Sequence, residues 1–362
     1  RALETPFGTI YTTNITPDRE TGIGAWSLAA FTRALREGVA RDGAHLFPAF
    51  PYTHFALLTD GDVAALYAYL MTVPPVKAGV PANTVPFPLD IRALQAGWKL
   101  LFFDFDQGVY QAQAGKSDEW NRGAYLAEGL GHCSACHTPR NALGGERTGA
   151  LYAGAPIEGW LAPALNASNP APLPWTQDDL YDYLRSGASI HHGVAAGSMS
   201  EVIQGLAKLP DADVRAIAVY FADRNGSAAQ AANADQALAK AMAMAQRDPG
   251  VVPEHGAQVY LSACASCHYN GGAAPLPARP ELALSSTING PDPGNFIHIV
   301  LGGIGQKDGM PGAYMPGFGM SLNDEDISAL AAYLRGSRTT QAPWNDVPAA
   351  VAGARKQSPA AP

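Results

Sequence analysis

Three stretches of the chain repeat one polar-to-apolar pattern. Leu58-Thr59-Asp60-Gly61-Asp62-Val63 leads into Ala64 to Leu70, Leu209-Pro210-Asp211-Ala212-Asp213-Val214 into Arg215 to Phe221, and Leu322-Asn323-Asp324-Glu325-Asp326-Ile327 into Ser328 to Leu334. Each predicts a helix with a capping Thr, Asp or Asn and with acid in its first turn, where carboxylates meet the positive end of the helix dipole. Each closes on an aromatic pair or aromatic–aliphatic pair, Tyr69-Leu70, Tyr220-Phe221 and Tyr333-Leu334. A second signal lies upstream of the first two. Trp26-Ser27 precedes Phe31 to Gly38 and Trp175-Thr176 precedes Leu180 to Gly187, both with a hydroxyl cap, apolar residues at helical spacing and Leu-Arg near the end. The third repeat has only the looser Asn295 to Gly302 here.

A signal that recurs three times predicts three tandem units rather than one large core. The expected division is 1–80, an N-terminally incomplete unit; 81–120, a linker; 121–225; 226–250, a second linker; 251–337; and a tail, 338–362. The Ala-rich stretch Ala228 to Gln246 reads as a helical spacer rather than a core element. Between Pro74 and Asn121, Ile91, Leu94, Trp98, Leu101 and Phe105 fall three or four apart on a single helical stripe. Such a stripe is expected to be buried as a strap across two domains, with a membrane or partner surface as the second reading. The tail, rich in Pro, Ala and Gln, is expected to be extended or draped over a partner.

Composition narrows the setting. A length of 362 residues allows two or three domains, and a net charge of −8 without any Lys/Arg run leaves a nucleic acid no electrostatic footprint. Charged residues are 15% of the chain against about 25% in typical soluble domains, which points to surface covered by a cofactor or by neighbouring subunits. No run of apolar residues is long enough to span a bilayer, so membrane contact is expected to be peripheral. The opening Arg1-Ala2-Leu3-Glu4-Thr5 carries no charged n-region and apolar core, so a signal peptide is expected to be absent or already removed.

The candidate chemistry lies in Cys133-Ser134-Ala135-Cys136-His137 and its echo Cys264-Ala265-Ser266-Cys267-His268, which use all four cysteines. C-x-x-C-H is the attachment signature of a c-type haem: two thiols bond to the porphyrin and the histidine becomes the proximal iron ligand. A zinc ribbon needs its Cys pairs roughly 15–20 residues apart, and here more than a hundred intervene. A thioredoxin-like C-x-x-C needs a βαβ setting, which the helical surroundings do not offer. Ordinary disulfides leave both histidines unexplained. Two covalently attached haem c groups are therefore expected, with a third if a further motif precedes Arg1. The fold class this implies is mainly α, three tandem class I cytochrome c domains joined by extended and helical linkers.

An electron-transfer haem usually carries Met opposite His, since a soft thioether favours reduced iron. Met199 is the one methionine between Cys136 and the end of its unit, and among Met310, Met315 and Met320 it is Met315 that stands at a similar distance before the last helix. The expected iron ligands are thus His137 with Met199 and His268 with Met315. The first unit has no cysteine, and Phe50 occupies the methionine position. Nearby His54, and less so His45, is a weaker candidate ligand.

Thr5-Pro6-Phe7-Gly8-Thr9-Ile10-Tyr11, Asn14-Ile15-Thr16-Pro17-Asp18, Pro48-Ala49-Phe50-Pro51-Tyr52, Ala96-Gly97-Trp98-Lys99-Leu100, Trp120 to Leu126 and Cys136-His137-Thr138-Pro139-Arg140-Asn141 resemble the three-haem cytochrome c subunit of bacterial membrane-bound dehydrogenases, over nearly the whole chain. The resemblance implies a non-catalytic electron conduit between a catalytic dehydrogenase subunit and ubiquinone or a terminal oxidase, accompanied by a small iron–sulfur or accessory subunit. It also implies a periplasmic location, peripheral on the outer face of the inner membrane. Alcohol and gluconate relatives usually have Met where Phe50 stands. Phe50 with His54 is more similar to the branch that partners molybdenum hydroxylases, such as aldehyde or N-heterocycle dehydrogenases, and the quinoprotein alcohol or flavin sugar dehydrogenases are the alternative. The resemblance further implies that Pro163 and Pro280 accept hydrogen bonds from the proximal histidines. A di-haem peroxidase, which keeps one iron face open, is a rival that Met199 and Met315 argue against, and a scaffold with redox-inert haems is a third class.

Overall fold

A computed structural model describes residues 2–245, 254–269, 280–305 and 314–357. Among the described residues the protein is mostly helical, with three short antiparallel hairpins, and it divides into two compact units: residues 1–135 with 140–148, and residues 136–139 with 149–362.

In the first unit the strands Ala2–Thr5 and Gly8–Tyr11 pair with Ala2 opposite Tyr11. The helix Leu28–Glu37 starts where Ser27 accepts a hydrogen bond from the Ala30 amide and stops at Gly38 in the left-handed region, φ 60°. Thr59 caps the helix Asp60–Leu70 in the same way. Ile23, Phe31, Leu35, Leu58 and Val63 form the core that these two helices share.

The expected stripe is turned outward except at Trp98, which is half-buried edge-on to the Tyr52 ring, with centres 6.2 Å apart. The helix Leu94–Phe102 buries Gln95 and Lys99, while Leu94 and Leu101 lie exposed, together with Ile91 and Phe105 beyond its ends. The reason is Lys99, which is 2% exposed and whose Nζ donates to the Glu37 carbonyl, to the Gly38 carbonyl at 2.9 Å and to His45 Nδ1 at 3.0 Å. Carbonyls at the C-terminus of Leu28–Glu37 lack helical partners, so a cation there satisfies them and meets the negative end of the dipole. The ammonium also lies 5.0 Å from the centre of the Tyr52 ring. Burial lowers its pKa to about 8, opposed by Glu37.

In the second unit Thr176 caps the helix Gln177–Ser186, which ends at Gly187 and packs on Asp211–Asn225. The latter departs from the expected capping, because Pro210 stands at its cap without a side-chain bond, and it runs on past Phe221 to Asn225. Further along, His255–Val259 crosses Asp324–Arg338, which has the expected cap in full: Asn323 and Asp326 each hydrogen-bond the other's backbone. Ala257, Tyr260, Ile297, Ile327, Leu330 and Leu334 fill the core at this crossing.

Two expectations for this unit are corrected. The Ala-rich segment is helical, as Ser227–Gln230 and Ala234–Ala245, but it is no mere spacer, since Ala241, Met242 and Ala245 are buried with Leu173, Ala283 and Leu284. Small side chains allow that close approach. The described part of the tail is not simply extended: Val347–Gln357 is a helix that buries Val351 and Ala354 in the same core as Leu330.

Candidate haem sites

Each attachment motif is entered through a π-type turn, Leu126–Leu130 before the first and Tyr260–Cys264 running into the second. After the first turn the Cys133 amide donates to Ala127 O at 2.9 Å, and His132, at φ 36°, swings the backbone into the short helix Ser134–His137. The second motif likewise lies on a short helix, Ala265–His268. None of the four cysteines forms a disulfide. Cys264 is buried and Cys267 exposed, and burial, helped by the neighbouring Cys267, pushes the Cys264 thiol up to about 11.

The two histidines are held alike. His137, 9% exposed, donates from Nδ1 to the Pro163 carbonyl at 2.7 Å, and His268 donates from Nδ1 to the Pro280 carbonyl at 3.1 Å. A carbonyl only accepts, so each bond places the proton on Nδ1 and turns the Nε2 lone pair outward, the arrangement found in metal-bound imidazoles. Burial lowers both pKa values, opposed by these same bonds, and so favours the neutral form that binds metal. Around the first histidine, Gly154 N donates to His137 O at 2.8 Å and Tyr152 N donates to Thr138 Oγ1 at 2.9 Å.

The methionines differ in how the backbone holds them. Met199 lies half-buried in the first turn of Ser198–Leu206. Met315 is pinned by a reciprocal bridge with Ile304, with N···O distances of 3.0 and 2.9 Å, while Met320 is 88% exposed. Met310 lies outside the described residues. His54 has both ring nitrogens engaged: Nδ1 with Glu128 O at 3.0 Å and Nε2 with Glu146 Oε1 at 2.8 Å. Neither is left for iron, and the pair instead braces the first motif, since Glu146 Oε2 accepts from Ser134 Oγ at 2.8 Å. His45 is tied to Lys99.

One cluster was not visible as a motif. Asp179, 8% exposed, accepts at Oδ1 from Ser189 Oγ at 2.7 Å and from His191 Nδ1 at 2.8 Å, and at Oδ2 from Thr176 Oγ1 at 2.7 Å. Burial would raise its carboxyl, but these hydrogen bonds outweigh burial and hold it at about 2. His192 stacks on Trp175 with ring centres 3.7 Å apart, and burial pushes its imidazole down to about 4. The adjacent histidines were the one signal in the sequence that could have found it.

Paired thiols beside a histidine whose Nδ1 is committed to a carbonyl fit a covalently held porphyrin, and a helical protein with two such sites is a c-type cytochrome. Residues 253–338 match the cytochrome c family. The chain is 49% identical to one of the subunits of nicotinate dehydrogenase from Pseudomonas putida over 92% of its own length, spanning 28% of that protein. It is 40% identical to the gluconate 2-dehydrogenase cytochrome c subunit of Pantoea cypripedii, over 92% of this chain and 78% of that one. It is 38% identical to the fructose dehydrogenase cytochrome subunit of Gluconobacter japonicus, over 92% and 72%. The chain belongs to the family of dehydrogenase cytochrome c subunits, proteins of covalently attached haem c.

Proposed function

We propose that this chain is the electron-transfer subunit of a periplasmic, membrane-associated dehydrogenase complex, carrying electrons singly from a catalytic subunit toward ubiquinone or the respiratory chain. The observation that carries this reading is the paired Nδ1–carbonyl geometry of His137 and His268 beside thiols. Cys133, Cys136, Cys264 and Cys267 would anchor the haems, and His137 with Met199 and His268 with Met315 would hold the iron of each. When bound, haem c supplies a one-electron iron couple. The chain's part is to orient each imidazole and keep it neutral, and Met199 and Met315 would supply the thioether donors. The units 1–80, 121–225 and 251–337 are read as class I cytochrome domains.

The preferred partner is a molybdenum hydroxylase-type dehydrogenase acting on an N-heterocycle or aldehyde. What supports it is the higher identity to the nicotinate dehydrogenase relative, 49%, than to the gluconate and fructose dehydrogenase cytochromes, 40% and 38%, together with Phe50. A quinoprotein alcohol or flavin sugar dehydrogenase is the second reading. Among the described residues no helix is long and apolar enough to cross a membrane, consistent with peripheral attachment.

The haem-loaded chain alone is expected to show no turnover with nicotinate, aldehydes, alcohols or gluconate, and addition of its catalytic subunit is expected to produce substrate-driven haem reduction. Absorbance of the reduced haems during titration with each substrate checks this. Dehydrogenase turnover by the isolated chain overturns the conduit reading. High-spin iron with peroxide turnover favours the peroxidase instead.

A further inference from the structure

The hairpin Ala155–Ile157 with Trp160–Ala162 touches three parts of the second unit at once. Its outgoing strand runs straight into Pro163, whose carbonyl receives His137 Nδ1–H at 2.7 Å. Its two-residue turn has both residues in the left-handed region, Glu158 at φ 48° and Gly159 at φ 82°, as a tight hairpin requires. That turn reaches the methionine segment, where Glu158 Oε2 accepts from Ser198 Oγ at 2.6 Å. The Trp160 indole lies so close to Gly197 that a Cβ there would stand 2.5 Å from Cε2. Gly197, at φ 60°, immediately precedes the helix that carries Met199 in its first turn.

The same hairpin is held by the helix Gly294–Gly302. Asn295 acts as a substitute strand: its Oδ1 accepts from Leu161 N at 2.8 Å and its Nδ2 donates to Leu161 O at 2.9 Å. His298 Nε2 donates to Gly159 O at 3.0 Å, and its ring stacks on Trp160 with centres 5.0 Å apart and planes 28° apart. A lone two-stranded hairpin with three residues per strand is too small to hold its own position. Asn295 and His298 supply the missing partner.

We propose that Trp160 is a positioning residue for Met199, clamped in place by Asn295 and His298, so that methionine ligation at the Cys133/Cys136 site depends on the docking of the neighbouring cytochrome segment. The inference rests on the reading of Met199 as an iron ligand. Trp160 backs the glycine on which the Met199 segment turns, and that segment is anchored a second time through Ser198 and Glu158. If the clamp is released, the indole is free to move and the methionine segment gains room to withdraw. The thioether–iron bond is reversible, so freedom of the segment shifts its population toward the unligated state.

The test uses the full chain loaded with both haems and compares Trp160→Ala, Trp160→Phe, Asn295→Ala and Met199→Ala. Two readouts are taken: the charge-transfer absorption of methionine-ligated ferric haem, and the midpoint potential of each haem by redox titration. Asn295→Ala and Trp160→Ala are expected to lower the methionine-ligated fraction at the Cys133/Cys136 site by roughly twofold or more. They are expected to lower its potential while leaving the Cys264/Cys267 haem unchanged, and Trp160→Phe is expected to retain most of the wild-type signal. Wild-type absorption and potential in Asn295→Ala, with both lost in Met199→Ala, overturns the positioning role alone. An unchanged Met199→Ala overturns the ligand reading and this inference with it. If Trp160→Ala does not fold, Asn295→Ala decides.

Discussion

Replacing Met199 by alanine lowers the midpoint potential of the haem on Cys133 and Cys136 by on the order of a hundred millivolts or more, without releasing that haem, and Met315→Ala does the same for the haem on Cys264 and Cys267. Attachment and tuning rest on different atoms. The thioether bonds use the cysteine sulfurs, and His137 and His268 keep their carbonyl partners in either variant. What is lost is the soft sulfur that favours ferrous iron, so the oxidised state gains and the potential falls. Each variant should move one midpoint only. Redox titration of the full chain, with denaturing gels stained for haem, checks both halves, and an unmoved midpoint removes that methionine from the ligand set.

Acid should destabilise the second unit in stages, and Asp179→Asn should abolish the last of them. The Asp179 carboxyl titrates at about 2 in the folded chain, below its ordinary value of 3.8. Its contribution is therefore complete above about pH 4 and is lost as the pH falls toward 2, a loss of about 2 kcal/mol. His192 acts in an earlier window. Burial holds its folded pKa at about 4 against the ordinary 6.5, so between those values the unfolded chain takes up a proton that the folded one refuses, and stability declines as the pH drops. His191 runs the opposite way: the Asp179 hydrogen bond raises its pKa, so its contribution is present below 6.5 and is lost as pH rises through the folded value. In Asp179→Asn the charge that His191 and His192 face is gone, and stability at neutral pH should fall by about 2 kcal/mol. Denaturant midpoints at pH 7, 5 and 3, followed by circular dichroism, measure it. Parallel pH profiles for wild type and variant would show that Asp179 carries no such stabilisation.

Much of this was legible because it depends on local chemistry. Ser27, Thr59, Thr176 and Asn323 cap helices where hydroxyl or amide residues precede an apolar run, and each does so through its own side chain. The carbonyl partners of His137 and His268 came from resemblance, since nothing in a proline's identity marks its carbonyl as an acceptor. The Leu94–Phe102 stripe was misread because periodicity locates an apolar face without saying which way it points. A single lysine that donates to the helix-end carbonyls of Glu37 and Gly38 reverses the orientation. The tail was misread because alanine-rich sequence looks sparse, although Val351 and Ala354 need only small volumes to close a core. Trp160 and Asn295 are far apart in sequence and join only through the packing of the second unit, so no spacing rule could connect them.

The π-type turns at Leu126–Leu130 and Tyr260–Cys264 bear on which genetic changes the motifs survive. Such a turn is an α-helix carrying one inserted residue, and removing that residue rotates everything after it by about 100° about the helix axis. Loss of a single codon in either turn would therefore point the thiols and the histidine away from the site they share. A substitution at an exposed position such as Leu130 or Leu261 leaves that phase intact. Both segments should accept many changes of letter and almost no change of length.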